Sequence, residues 1–305
     1  INDPSYPANT SKALYFTRNN VQCTYAGGVG SPVDVNGIIP PMQGFFNKTY
    51  SVGNSITLPA AARTHNNIHS RYKGEDIVPL VRLGITENTF SDETVVRFDE
   101  EAKPDLDYEF DAVKMSVSES HPYLYSVTSG TNYAINGQPF PEEVAEFPIV
   151  VNSPSDGSHK IIAKQIQGLD SYYVSLTDKT TGYSADLKKT PWLSFIAPKG
   201  KITDRFVLKV STVPTGIDDP SMTDGKFNIY QAYDFIIIEP LDEIWNGRTG
   251  NVRIMDLTGK SVSDHSNLEF QTKSLIQIPA PERKGIYFVE VKAGNLRHTG
   301  KVMIR

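Results

Sequence analysis

The sequence predicts an all-β protein in two parts, a larger β-sandwich or jelly-roll-like domain at residues 1–212 and a smaller β domain at residues 227–305. Three observations carry that expectation. Short segments of alternating apolar and polar residues recur along the chain, and Gly, Asn, Asp or Pro separates nearly all of them. No stretch of ten or more residues carries an apolar stripe at the helical period. Residues 213–226 concentrate Pro, Gly and Asp with few apolar side chains, the composition of a linker between domains.

In chain order, the first expected strand is at residues 13–17. Gly27, Gly28, Val29 and Gly30 superficially resemble a phosphate loop, but Ser31 and Pro32 start no helix and no Lys stands at the required offset. The run therefore reads as a surface loop. Residues 38–48 read as a strand whose entry holds Pro40 and Pro41, where a missing N–H is harmless. Further strands are expected at 55–58, 78–85, 94–98, 113–117, 124–128, 133–135, 147–151, 160–166, 172–177, 192–197 and 205–210, a spacing that suits a sandwich or jelly roll. Pro141, Glu142, Glu143 and Val144 suggest one helical turn, with Pro in the first turn and acids near its positive end.

Past the linker the pattern is clearest. Tyr287, Val289 and Val291 fall on one side of an extended segment and Glu290 and Lys292 on the other, the mark of a half-buried strand. Gly294 and Asn295 then supply the backbone angles of a two-residue hairpin, and Val302 and Ile304 alternate again in the partner strand. Upstream, residues 251–260 read as a strand running into a turn at Gly259.

Composition sets further bounds. A chain of 305 residues is long enough for two domains, and 39% hydrophobic against 21% charged residues indicates a folded protein. The net charge of −5 gives no basic surface for nucleic acid, and no basic patch interleaved with aromatics offsets it. Cys23 stands alone, which excludes an internal disulfide and a cysteine-built metal cluster, so it reads as a small packed apolar residue. The longest apolar run, Phe235 to Ile238, is far short of the roughly 20 residues that a membrane helix needs.

The strand and turn from Val252 to Lys260, the later run Lys284, Gly285, Ile286, Tyr287, Phe288, Val289, Glu290 and Val291, and the basic-ended Gly300 to Arg305 together resemble the C-terminal sorting domain of type IX secretion substrates. The resemblance covers about the last 80 residues. It departs at the first strand, where the family often has an Asn-Pro pair and this chain has Asn228-Ile229. It implies a small immunoglobulin-like sandwich acting as an export signal, the outer-membrane secretion machinery as partner, an N-terminal signal ahead of Ile1, and delivery to the outside or the outer surface of a Gram-negative bacterium. Ile39 to Phe46, Ala62 to His65, Phe110 to Met115, Tyr133 to Gly137, Val174 to Lys179 and Asp204 to Leu208 likewise resemble a β-rich module that precedes such sorting domains in large surface proteins, with no activity attached to it.

Asp105, Asp107, Glu109 and Asp111 stand at alternate positions. Three of them, Asp105, Asp107 and Asp111, are candidates for calcium, which takes six to eight oxygens; on an extended strand, however, the acids form one solvated face with Leu106, Tyr108 and Phe110 inward. His65 and His69 lack the Glu that a zinc-protease motif places after its first His. No histidine is bracketed by a serine or an acid in a recognisable nucleophile setting, and no nucleophile elbow occurs. Tyr172, Tyr173, Tyr183 and Trp192 lie in neighbouring segments and are the candidate sugar platform, against the alternative that such rings are core or cross-strand partners. The expected protein is a non-catalytic surface protein without a cofactor, possessing a role in cell adhesion. The alternative is a carbohydrate-binding module of a larger surface enzyme, and a hydrolase is the third reading.

Overall fold

β1 (Leu14–Arg18), β2 (Val21–Ala26) and β3 (Val29–Ser31) form a three-stranded antiparallel sheet in the computed structural model, which describes residues 10–18, 21–53, 55–57, 77–87, 90–115, 118–212, 227–272 and 274–305. The linker expected at 213–226 and the pair His65 and His69 lie outside the described residues. Gly27 and Gly28, read from sequence as a surface loop, are the turn of the β2–β3 hairpin, with Ala26 paired to Val29. Both take positive φ, +51° and +85°, as a two-residue turn matched to strand twist requires.

The described residues divide into two compact units. The first takes Ile1–Leu176, Ala185–Leu193 and Ala197–Thr215; the second takes Thr177–Ser184, Ser194–Ile196 and Gly216–Arg305.

The larger part of the chain builds an eleven-stranded sheet. Its strands are β4 (Leu80–Glu87), β5 (Phe90–Phe98), β6 (Ala112–Val113), β7 (Tyr123–Thr128), β8 (Thr131–Gln138), β9 (Val144–Ser153), β10 (Gly157–Gln167), β11 (Tyr173–Asp178), β12 (Tyr183–Asp186), β13 (Trp192–Ala197) and β14 (Gly200–Ser211). The order is β12-β11-β14-β9-β7-β8-β5-β4-β10-β13, with β6 beside β8. Of its pairings, β5 with β8 is parallel, Val95 opposite Ile135. Alternation sets the core face: Val81, Leu83 and Ile85 of β4, Leu124 of β7, Phe147, Ile149 and Val151 of β9, and Phe206, Leu208 and Val210 of β14 are all buried.

Local chemistry overrides the sequence pattern in several places. Residues 38–48 form no strand: Pro40 and Pro41 lack the N–H groups a ladder needs, and the end of the segment meets the first strand's flank only at isolated points, the Tyr15–Phe46 bridge and the Ser11 N to Lys48 O bond of 2.9 Å. The helical turn expected at residues 141–144 is absent: the Glu143 carbonyl accepts from Thr212 N at 2.9 Å, which extends the β9–β14 ladder in place of a helix. Of the segment expected at 113–117, Val113 alone among the described residues lies in a strand, the two-residue β6, and residues 116–117 lie outside the described residues. The acidic run at 105–111 is not extended. Asp111 N donates to Asp107 O at 3.0 Å, Asp107 N to Asp111 Oδ2 at 2.8 Å and Glu109 N to Asp107 Oδ1 at 2.9 Å, which closes a turn.

Polar residues also lie inside. Arg82 and Glu93 are 3% and 6% exposed, and Arg82 Nη1 donates to Glu93 Oε2 at 2.9 Å. Lys164 Nζ binds the other oxygen of Glu93 at 2.8 Å, and Arg82 Nε donates to Gln165 at 3.1 Å. One carboxylate thus compensates two cations across β4, β5 and β10.

The second unit is a β-sandwich. One sheet is β15 (Phe227–Ala232), β16 (Phe235–Pro240) and β19 (Ile276–Pro279); the other has β17 (Arg248–Met255), β18 (Ser261–Phe270), β20 (Gly285–Ala293) and β21 (Leu296–Ile304) in the order β18-β17-β20-β21. The pairing of β17 with β18 shifts register twice, after Gly250 and after Ile254. At Gly250 an added Cβ would stand 1.9 Å from the Lys292 carbonyl oxygen of β20, so β17 and β20 approach this closely only because residue 250 is a glycine. A core cluster joins the sheets, formed by Phe227, Ile229, Ile236, Ile238, Trp245, Val252, Ile254, Phe270 and Ile278 with residues of β20 and β21. No helix among the described residues is long and apolar enough to cross a membrane.

Candidate functional site

The sorting-type residues fall into one architecture. Tyr287, Val289, Val291, Val302 and Ile304 all lie in that core cluster. Gly285 opens β20 opposite Ile304. Gly259 takes φ +82° in the turn after β17, where the Asp256 carboxylate accepts from Thr258 N at 2.8 Å and Lys260 N at 3.1 Å. Ala293 pairs with Leu296, which leaves Gly294 and Asn295 as a two-residue loop, and Gly294 takes φ +58°. Gly294→Val puts a β-branched side chain into the left-handed region, at a cost of about 1–2 kcal/mol. The expected result is a lower unfolding midpoint for the C-terminal transition of the full chain and less protein at the surface. Unchanged values of both would contradict the role given to this turn.

The opposite, solvent-facing side of the four-stranded sheet carries charges in register. Asp264, Arg253, Glu290 and Thr299 occupy one row across β18, β17, β20 and β21. Arg253 Nε donates to Asp264 Oδ1 at 2.6 Å. Glu290 is bracketed by Lys292, at 2.9 Å, and by Arg297. Burial pushes the Glu290 carboxyl up, but the hydrogen bonds from Lys292 and Arg297 outweigh it and hold the group below its ordinary value. Phe288 pairs with Met255 and Ile286 with Met303 on the same face, so an apolar end adjoins the charged one.

The four rings of the candidate sugar platform are placed differently from one another. Tyr173 is 47% exposed, whereas Tyr183 is buried and stacks on Tyr230 with ring centroids 5.6 Å apart. Burial, then the charge of Glu239, pushes the Tyr183 phenol up. Tyr172 is half-buried against Phe140 at 6.0 Å, and Trp192 is half-buried under Lys160 Nζ, 5.4 Å from its ring centre.

The acids of the 105–111 segment bind backbone and hydroxyl groups. Asp105 is exposed and accepts from Ser129 Oγ at 2.9 Å; Asp107 and Asp111 are buried, and Asp111 Oδ1 accepts from Gly137 N at 2.6 Å. Among the described residues no group of three or more His, Cys, Asp or Glu side chains converges as a metal centre would require. Burial raises the Asp111 carboxyl to about 7, against the lowering effect of the Asp107 and Gly137 N–H groups. A raised pKa means that Asp111 adds stability in full below its ordinary value of 3.8 and loses it as pH rises through about 7. The unfolding midpoint of the first unit should therefore fall across that window. Asp111→Asn should flatten the slope while sacrificing the Asp107 bond, and an equally steep slope in the variant would refute the assignment.

Sequence reading missed one constellation. Ser153 Oγ lies 2.6 Å from His159 Nε2, and His159 Nδ1 faces Glu87 Oε2 at 3.6 Å. A histidine thus does stand between a serine and an acid, contrary to the sequence expectation. Ser155 Oγ also donates to Glu87 Oε1 from 68 residues away, a separation at which spacing carries no signal. Ser153 is fully buried and donates to the Ser155 carbonyl at 2.6 Å, so the line closes the β9–β10 connection instead of presenting a nucleophile.

Two known families match successive parts of the chain. A domain of unknown function (DUF8693) matches residues 1–210, and a secretion system C-terminal sorting domain matches residues 232–305. The second match opens at the last residue of β15, although Phe227 and Ile229 of that strand already belong to the core. Asn228, where the family often has Asn-Pro, is buried and its amide donates to Glu239 at 3.4 Å. No curated protein matches the chain. The sorting domain directs the protein through the type IX secretion system to the outer cell surface or the extracellular space. With its first 210 residues matched by one profile and its core-closed final sandwich by another, the chain belongs to the family of the domain of unknown function DUF8693 and carries a secretion system C-terminal sorting domain.

Proposed function

We propose that this is a non-catalytic surface protein in which the C-terminal sandwich, immunoglobulin-like in its sheets of three and four strands, is the export address, while the larger unit acts by binding in cell adhesion. The observation that carries the non-catalytic reading is the sealing of Ser153: its hydroxyl is buried and held by the Ser155 carbonyl, so the arrangement most like a hydrolase has no reacting atom at the surface. Buried polar groups elsewhere hold backbone in the same way. Asp111 grips Asp107 N and Gly137 N, and Asp92 grips Leu124 N at 2.9 Å. What the larger unit turns toward solvent is recognition chemistry, such as the exposed Tyr173 ring.

The test compares cells that display the full chain with cells of a strain lacking it. Displaying cells should adhere several-fold better to a glycan- or protein-coated surface, and purified chain should turn over no ester, peptide or glycoside in a substrate panel. Equal adherence defeats the adhesion reading, and turnover defeats the non-catalytic one. A carbohydrate-binding role within a larger enzyme is the second reading, favoured by Tyr173 and by the half-buried Trp192 ring beneath Lys160.

A further inference from the structure

The geometry points to a neutral-saccharide site in the first unit, at an open hollow of about 620 Å³ walled by the β2–β3 turn, residues 36–38 and the 107–110 turn. The inference rests on the adhesion reading and names a ligand class for it. The volume lies within the range of roughly 300–1,000 Å³ typical of small-molecule sites.

The hollow joins two kinds of surface. Tyr25 and Phe110 line it as half-buried rings. Both are held hard against backbone: a Cβ on Gly37 would stand 2.6 Å from the Tyr25 ring, and one on Gly27 would stand 3.0 Å from the Phe110 ring. The Arg97 guanidinium, 4.7 Å from the Phe110 ring centre, donates to the Gly27 carbonyl and to Asp99 at 2.7 Å, which fixes the turn and the ring together. At the rim, Lys12 Nζ and Glu109 Oε1 meet at 3.0 Å, with side chains 25% and 49% exposed.

This combination selects for chemistry. One cation and one anion leave the hollow without net charge, so neither an acidic nor a basic ligand is favoured. Lys12 donates and Glu109 accepts, the complementary pair that vicinal hydroxyls need. Preorganised aromatic rings suit the apolar C–H faces of a pyranose. The turn bearing Glu109 and Phe110 is the one that the carboxylates of Asp107 and Asp111 close, so those acids act as positioning groups for the hollow.

The test is ligand-observed NMR on the full chain with maltotriose, cellotriose, mannotriose and xylotriose, and with a galacturonate trimer as the charged comparison. At least one neutral trisaccharide should show saturation transfer. Its affinity should fall about tenfold or more in the double variant Lys12→Ala/Glu109→Ala. Gly28→Asn should do the same: Gly28 lines the hollow, a Cβ there meets nothing within 4 Å, and Asn tolerates a positive φ, so the new side chain narrows the opening without a clash. Unfolding midpoints of the variants, read in the same samples, keep loss of fold apart from loss of binding. No transfer from any neutral trisaccharide, unchanged affinity in folded variants, or binding of the galacturonate trimer alone would overturn the proposal. Adhesion that persists without sugar binding removes the saccharide site and leaves the adhesion reading standing. Equal adherence of cells that display the wild-type chain and cells that lack it removes that reading itself.

Discussion

Trp245→Ala is expected to unfold the C-terminal sandwich and to keep the protein from the cell surface. Trp245 is 1% exposed and lies at the end of a 3₁₀ turn, Glu243–Trp245, whose start is capped where Asp242 Oδ1 accepts from Ile244 N at 3.0 Å. Its ring meets Phe227 edge-on at 4.6 Å and Phe270 at 5.7 Å, and those two rings meet each other at 6.0 Å. Truncating a buried Trp costs about 3–5 kcal/mol, and a domain of this size has little more than about 5 kcal/mol to lose. The magnitudes decide the outcome: the variant sandwich keeps only about 0–2 kcal/mol, so it melts far below the wild type and is partly unfolded at growth temperature, whereas a loop substitution would leave it folded. Near-ultraviolet circular dichroism should lose the aromatic signal of the second unit, and surface fractions should lose the protein. Trp245→Phe, which keeps part of the volume, should recover some export. A cooperative transition at the wild-type temperature together with normal export would rule out this account of the core.

The second large effect is expected in the first unit. Glu93→Ala leaves Arg82 buried without its carboxylate and deprives Lys164 of the same partner, at a cost of about 3–5 kcal/mol. Burial pulls the Arg82 guanidinium below its ordinary value while Glu93 opposes the shift, but an arginine stays charged and cannot escape by losing its proton. The double variant Arg82→Leu/Glu93→Leu removes both charges and should cost much less than the sum of the single changes. Urea unfolding of the full chain, followed by a probe in the first unit, gives both numbers. A loss below about 1 kcal/mol for Glu93→Ala would show the pair to be effectively solvated.

Legibility differed along the chain for physical reasons. β20, β21 and their Gly294-Asn295 loop were readable because one face is buried, one is wet and the turn is two residues long, so pattern and partner are local. β2 and β12 were not anticipated: Val21–Ala26 does alternate but covers only six residues, and Tyr183–Asp186 is only four residues long. At 105–111 the alternation of acids looked extended, but the Asp107 and Asp111 carboxylates reach backbone N–H groups nearby, and that competition bends the chain. The parallel pairing of β5 with β8, the shared Glu93 carboxylate and the hollow join residues brought together only by tertiary structure, which local periodicity does not encode.

The uneven pairing of β17 with β18 has a consequence outside the molecule. β18 is an edge strand rich in exposed polar residues, and it carries an extra residue at both shifts of its register against β17. A straight, apolar border would invite the next molecule to add its own strand, a hazard that grows with crowding at a cell envelope. The buckled margin gives an incoming backbone no continuous row to zip onto, so densely arrayed copies stay separate instead of growing into fibres.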